Sequence, residues 1–417
     1  MNIYDIVIIG GGIVGTSVAW QLRQAWPTSE ILLIDKEDAV ARHQTGRNSG
    51  VIHAGLYYQP GSMKARFCRE GVAASIWLSK EYGIRFEQCG KLVVATHDDE
   101  MNRLGAIFEN SKTNGIQVEM LDKAAFRELE PRITGVGAIL SPSTGIADYA
   151  GINRCYAKQF EGNRGEILFN TEVRDLVEDM DAITIVTDGA EIRTRYLIVC
   201  AGLQADRLAG MMGLADDFRI IPFRGEYYSL GPEKNDIVQH LIYPVPNPGL
   251  PFLGVHLTRM IEGNVTLGPN AVFSLAREAY DANRLSIRDF LSSVSWGGFW
   301  KLAATYPTHG VKEFYNSISK RRYLSLCQRY CPELTLEDMH PHRTGIRAQA
   351  VDRNGVMIHD FMIKSSKRAV HVCNAPSPAA TSSLPIGRHI LGVANETFDL
   401  GLDLAPPPWP VPEPLRN

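Results

Sequence analysis

Seven mostly apolar residues, Ile3 to Ile9, run straight into Gly10-x-Gly12-x-x-Gly15. Val14, Val18, Leu22 and Ala25 then recur near helical spacing until Pro27, and a second apolar run, Ile31 to Ile34, ends at Asp35. Strand, glycine turn, helix and strand in that order form the opening half of a parallel βαβ unit. The first glycine permits the turn, the second lets backbone approach a pyrophosphate, and the third allows the helix to pack closely. Amides at the helix start then meet the phosphates. Asp35, 25 residues after Gly10, can accept hydrogen bonds from ribose hydroxyls. An acid at this place repels the 2′-phosphate of NADPH, but the turn alone does not separate NAD from FAD.

Three further stretches favour FAD. Thr45-Gly46-Arg47-Asn48-Ser49-Gly50 follows Asp35 by ten residues and is dense in small groups and donors, as a loop beside an isoalloxazine ring should be. Ala201-Gly202 closes the strand-like run 195–200, where small residues allow close approach to an adenosine half. Ser383-Leu384-Pro385-Ile386-Gly387 offers small residues at a helix start, whose backbone donors could stabilise negative charge at the pyrimidine end of a reduced flavin. Each stretch alone reads more readily as an ordinary turn. Joined to the N-terminal fingerprint, they predict an FAD site.

A helix is expected from Ser62 to about Tyr82, a strand over 91–96 and a helix over 99–113, with no second fingerprint among them. The chain returns to its first domain near Asp148, and 220–270 holds several strand-like runs that suit an antiparallel or mixed sheet. Residues 275–330 read as mostly helical and 345–373 as short strands. The expected fold is α/β: a Rossmann-like FAD-binding domain, discontinuous over 1–85, 146–218 and 340–400, with an inserted α+β substrate domain over 86–145 and 219–339. Residues 401–417 form a tail. Six prolines between 406 and 414 forbid helix or central strand there, and a disordered end is the expectation.

Composition excludes several classes. A formal net charge of -3 gives no whole-surface footprint for nucleic acid. The seven cysteines are scattered without a CxxC pair, which suits reduced thiols in a cytosolic compartment. No basic leader precedes the first apolar run, and no stretch of about 18 apolar residues suggests a membrane span. His340-x-His342 and the pair Cys327 and Cys331 lack further ligands nearby, so no metal is expected.

Several segments are more specific than the fingerprint: 45–58 (TGRNSGVIHAGLYY), 222–228 (PFRGEYY), 251–259 (PFLGVHLTR), 268–272 (GPNAV), 342–349 (HRTGIRAQ) and 374–387 (NAPSPAATSSLPIG). In them the chain resembles FAD-dependent oxidoreductases of the D-amino-acid oxidase and glycerol-3-phosphate dehydrogenase type, most of all the L-2-hydroxyglutarate dehydrogenases, also called oxidases. The resemblance runs over roughly 1–387. It implies oxidation of L-2-hydroxyglutarate to 2-oxoglutarate by hydride transfer to flavin, with electrons passing on to a membrane quinone and oxygen as a slower acceptor. It also implies a last helix against the FAD domain. An amino-acid oxidase or deaminating dehydrogenase of the same fold is the alternative, and the loop 45–58 argues against an NAD enzyme.

Hydride removal from a hydroxy acid needs the C2 hydrogen aimed at flavin N5, a base for the hydroxyl proton and cations for the carboxylates. His53, in the flavin loop, is a candidate for the base or a flavin-facing contact, and His256, in a strand-like run, for a substrate-facing role. His53 is also a candidate for covalent flavin attachment. Arg347 is placed like the arginine that clamps the α-carboxylate in related oxidases, and Arg259, three residues after His256, is the candidate for the second carboxylate. Arg47 and Arg224 are held in reserve. Residues 274–330 carry nine basic and four acidic side chains. Phe290, Leu291, Val294, Phe299, Trp300, Leu302, Val311, Phe314, Tyr315 and Ile318 interleave with them, predicting peripheral contact of 286–325 with anionic lipid on the cytoplasmic side of the inner membrane.

Overall fold

The computed structural model describes residues 3–250, 252–280 and 284–413. Pro251, three residues of the basic segment and Pro414 with the last three residues therefore lie outside the described residues. The strand Ile3–Ile9 pairs in parallel with Ile31–Ile34 on one side and with Glu191–Val199 on the other. Glu191–Val199 divides its far edge. Its first half pairs antiparallel with Ile183–Thr187, and Leu197 to Val199 pair in parallel with Ala369–Asn374. Glu166–Leu168, Val173–Glu178 and Met362–Ser365 complete an eight-stranded sheet.

The helix Ile13–Ala25 is buried over ten of its residues because the helices Tyr149–Gly162 and Ser383–Phe398 both pack against it. A helix covered on most sides must satisfy its polar groups within the fold. The Ser17 hydroxyl donates to the Ser383 carbonyl at 2.8 Å, Gln21 donates to the Leu384 carbonyl at 3.1 Å, and Thr16 donates to Asn153. The helix Met63–Glu81 starts where expected. Ser62 caps it by accepting from Ala65 N–H, and Asp360 accepts from the Met63 and Lys64 amides.

A second eight-stranded sheet runs in the order Met339–Pro341, Tyr228–Leu230, Val265–Gly268, His256–Arg259, Leu241–Pro244, Lys91–Ala95, Gly137–Ser141, Glu119–Asp122. It is mixed, since Leu241–Pro244 and Lys91–Ala95 are parallel and the other neighbours antiparallel. Two small sheets connect it to the first. In one, Phe218–Gly225 pairs with Gly345–Asp352 and sets Arg347 opposite Phe223. In the other, Gly145–Ala147 lies between Val51–Ile52 and Phe86–Glu87.

The last helix packs against Ile13–Ala25 and Met63–Glu81, as the resemblance implies. The expectation of a disordered end is corrected as far as residue 413. These residues have no helix or strand, as the prolines require, yet Trp409 is only 4% exposed. Its ring lies 6.1 Å from that of Trp77, and its N–H donates to Glu70 at 2.9 Å. Arg388 donates to the Leu404 carbonyl at 2.9 Å. Prolines lower the entropy lost on ordering, and one large aromatic supplies the buried area.

Candidate active site

Gly10 has φ +112°, and a Cβ there would stand 2.4 Å from the Cys200 carbonyl oxygen. A Cβ on Gly15 would stand 2.0 Å from the Gly10 carbonyl oxygen. Gly12 differs, because its Cβ would meet only Thr45 Oγ1 at 3.7 Å, and its own backbone lines a cavity of about 380 Å³. Strand, turn and helix are thus locked together by two glycines while the third faces open space. This cradle fits a pyrophosphate at the start of Ile13–Ala25. Asp35 accepts from the Gly11 and Glu37 amides, which holds its carboxylate at the end of Ile31–Ile34 beside the turn.

The loop after Asp35 is ordered by its own side chains. Thr45 Oγ1 accepts from Ile13 N–H at 3.0 Å. Asn48 donates to the Thr45 carbonyl and accepts from Gly50 N–H, both at 2.8 Å, and Gly50 has φ +70°. Arg47 stacks on Tyr280, 3.9 Å from the ring centroid. Thr45, Arg47, Asn48, Ser49, Gly202, His53 and Arg347 all line the cavity; Gly50 and Ala201 adjoin lining residues without lining it. Glu37, His43 and Glu278 converge nearby as possible metal ligands. Lys36 bonds both carboxylates and Tyr280 takes the other nitrogen of His43, so the group is a closed polar network.

Ser383, Leu384 and Gly387 are not brought to the cavity. The Ser383 and Leu384 carbonyls accept from the helix Ile13–Ala25, Ser383 Oγ meets Tyr156 Oη at 3.1 Å, and a Cβ on Gly387 would strike Ser17 and Gln21. Asn374 to Thr381, just before them in the chain, line the cavity. The Ser383 and Leu384 carbonyls, the Ser383 hydroxyl and the missing Cβ of Gly387 serve close helix packing.

His53, His256 and Arg347 form one electrostatic group. Burial holds His53 well below the ordinary histidine range, with Lys91, His256 and Arg347 adding repulsion. Burial likewise holds His256 at about 3, reinforced by Arg347 and Lys91. Both imidazoles are therefore neutral at neutral pH. His256 Nδ1 lies 2.9 Å from the Gly254 carbonyl, which can only accept, so Nδ1 carries the proton and Nε2 offers a lone pair. Arg347 has no carboxylate partner among the described residues, and its guanidinium lies 5.2 Å from the Phe252 ring centroid.

Arg259 is not brought to this group. It donates to Glu87 and to the Gln239 carbonyl, each at 2.8 Å. In a strand, residues three apart point to opposite faces, so the step from His256 to Arg259 turns the arginine away. Arg224 pairs with Glu226 at 2.7 Å. Residue-by-residue reading missed Lys64, Tyr57, Tyr58, Tyr227 and Lys91. The tyrosines lay within quoted motifs, and Lys91 was visible only as a charge opening an otherwise apolar strand.

The model of the FAD dependent oxidoreductase family matches residues 5–391. An L-2-hydroxyglutarate dehydrogenase of Escherichia coli K12 is 50% identical over 93% of this chain and 92% of its own length. A mitochondrial L-2-hydroxyglutarate dehydrogenase of Caenorhabditis elegans is 43% identical over 95% and 94%. Among solved structures, an FAD-bound L-α-glycerophosphate oxidase from Mycoplasma pneumoniae superposes with a TM-score of 0.76 at 21% identity, covering 95% of each chain. A glycine oxidase from Geobacillus kaustophilus gives 0.69 at 17% identity, covering 97% of this chain and 98% of that one.

Proposed function

The chain belongs to the FAD-dependent oxidoreductase family and, within it, to the L-2-hydroxyglutarate dehydrogenases, and on that premise we propose that it oxidises L-2-hydroxyglutarate to 2-oxoglutarate. FAD, its cofactor, would supply the acceptor for the C2 hydride. Gly10, Gly12 and Gly15 would hold its pyrophosphate, Asp35 its ribose hydroxyls, and the loop 45–50 would meet its ring system. The observation that carries the reading is a guanidinium without a carboxylate partner, Arg347, on a cavity shared with the dinucleotide cradle and electrostatically coupled to two neutral histidines.

Arg347 holds the α-carboxylate and so orients C2. His53 makes no ring hydrogen bond among the described residues and lines the cavity, so its imidazole accepts the hydroxyl proton as C2 loses its hydride. His256 Nε2 is a second acceptor beside it. Burial of the pair keeps both in the form that can take a proton. Turnover with an artificial acceptor tests this reading: L-2-hydroxyglutarate should be oxidised, and D-2-hydroxyglutarate and glycine should not. Oxidation of an amino acid in its place would transfer the protein to the amine-oxidising branch of the fold.

Electrons then leave for a membrane quinone, with oxygen a slower acceptor, and the protein sits peripherally on the membrane. No helix among the described residues is long and apolar enough to cross one. Ile287–Val294, Gly297–Thr305 and Pro307–Ile318 expose Leu291, Trp300, Val311, Phe314, Tyr315 and Ile318, while Leu302 turns into the core. Bulky apolar groups beside Lys301, Lys312 and Lys320 to Arg322 support contact with anionic lipid. Cosedimentation with anionic but not neutral vesicles, lost in Phe314→Ser with Ile318→Ser, is the expected result.

A further inference from the structure

Lys91 opens the strand Lys91–Ala95 in the middle of the substrate-side sheet and is only 1% exposed. Its ammonium makes no ion pair or hydrogen bond among the described residues. It lies 4.9 Å from the ring centroids of both Tyr57 and Tyr243. Beside it the Tyr57 hydroxyl is buried with no partner. Tyr243 in turn packs on His256, their rings 3.9 Å apart, and the Lys91 charge acts on both His53 and His256. Lys64, the other recessed lysine, lines the cavity and feels the Arg347 charge, but it is already engaged, donating to the His359 carbonyl at 3.3 Å beside Asp360.

A buried cation with only aromatic faces for company costs stability, and so does an orphaned hydroxyl. Two such costs side by side are explained by a ligand that removes both. A five-carbon dicarboxylate brings a second anionic end that Arg347 cannot also hold, and Arg259 is turned away from it. Resting on the reading above, we infer that Lys91, with the Tyr57 hydroxyl, receives the distal carboxylate of the substrate and sets the preference for diacids. The lysine makes a charge-assisted hydrogen bond to one carboxylate oxygen and Tyr57 donates to the other. The two tyrosine rings hold the ammonium in place until then.

The test compares holoenzyme variants on L-2-hydroxyglutarate and on L-2-hydroxybutyrate, which lacks the distal carboxylate. Lys91→Met should raise KM for the diacid roughly 10- to 100-fold, the span of a lost charge-assisted hydrogen bond, and raise KM for the monoacid far less, with flavin retained. Tyr57→Phe, which removes one oxygen, should shift the same ratio by a smaller factor and stands in if Lys91→Met does not fold. Removing an unpaired buried charge should also raise Tm, which a merely structural lysine would not do. Equal losses on both substrates, or a selective loss in Lys64→Met instead, would overturn the assignment. Glutarate, followed by its perturbation of the bound flavin spectrum, separates the two levels. If wild-type protein oxidises no 2-hydroxyglutarate yet binds glutarate through Lys91, the diacid site stands and the functional reading falls.

Discussion

Gly12→Ala and Gly15→Ala should fail for different reasons. At Gly15 the new Cβ would stand 2.0 Å from the Gly10 carbonyl oxygen, against an ordinary contact of roughly 3.4 Å, so the helix Ile13–Ala25 must move. Overpacking of this kind costs about 1–3 kcal/mol even before any ligand binds. At Gly12 the nearest atom is 3.7 Å away, and φ -72° with ψ 169° is ordinary for alanine. The apoprotein should therefore tolerate Gly12→Ala within about 0.5 kcal/mol. A pyrophosphate lying on that backbone would not tolerate it. A penalty of about 1–3 kcal/mol on binding alone weakens FAD roughly 5- to 150-fold. Thermal melts of both apoproteins, followed by FAD titration, separate the effects. An apoprotein destabilised equally by the two substitutions, or a Gly12→Ala variant with wild-type FAD affinity, would refute the cradle.

Four further outcomes follow from the same geometry. His53→Asn should lower kcat by about 10²- to 10⁴-fold with flavin retained, and a loss confined to KM would remove it as the base. Because burial holds both histidines low, kcat/KM should not fall between pH 7 and 6 as an ordinary histidine base would require. At the other end, burial first and then Arg347 lower Lys64, and burial lowers Lys91, each to about 8. Both are cationic below that pH and lose charge above it, so diacid kcat/KM should decline from about pH 8 upward while monoacid turnover declines less. Arg259→Ala should leave KM for L-2-hydroxyglutarate unchanged and cost no more than about 1 kcal/mol as a surface pair, whereas Arg347→Ala should raise KM with flavin intact. Trp409→Ala should destabilise the protein by about 2–5 kcal/mol in denaturant unfolding, and no change would mean that the tail contributes nothing.

The dinucleotide end of the molecule was legible because its demands are local: an apolar strand, a turn that only glycine can make, a helix and an acid follow one another in sequence. The order of the first strands and the helix Met63–Glu81 were read for the same reason. The substrate end was legible only in part, because it joins residues from strands far apart in the chain. His53 lies in a contiguous loop, and its place on the cavity was readable there. Arg259 was misplaced because its distance from His256 was counted along the chain and not by strand parity, which sends the two side chains to opposite faces. Ser383, Leu384 and Gly387 have a composition that suits a ligand loop and a helix-packing surface equally, and only Ser17 and Gln21 across the interface distinguish the two. Lys91 looked like the polar start of a strand until the sheet around it placed its ammonium between two rings. At the tail, the prolines masked Trp409, whose single side chain does the anchoring.

The most direct measurement is an anaerobic titration of the purified holoenzyme, with detergent present, followed by its visible spectrum. The account predicts a yellow protein whose flavin band is bleached by L-2-hydroxyglutarate and left unchanged by D-2-hydroxyglutarate and glycine. Bleaching by an amino acid, or a flavin indifferent to the L-diacid, would contradict it.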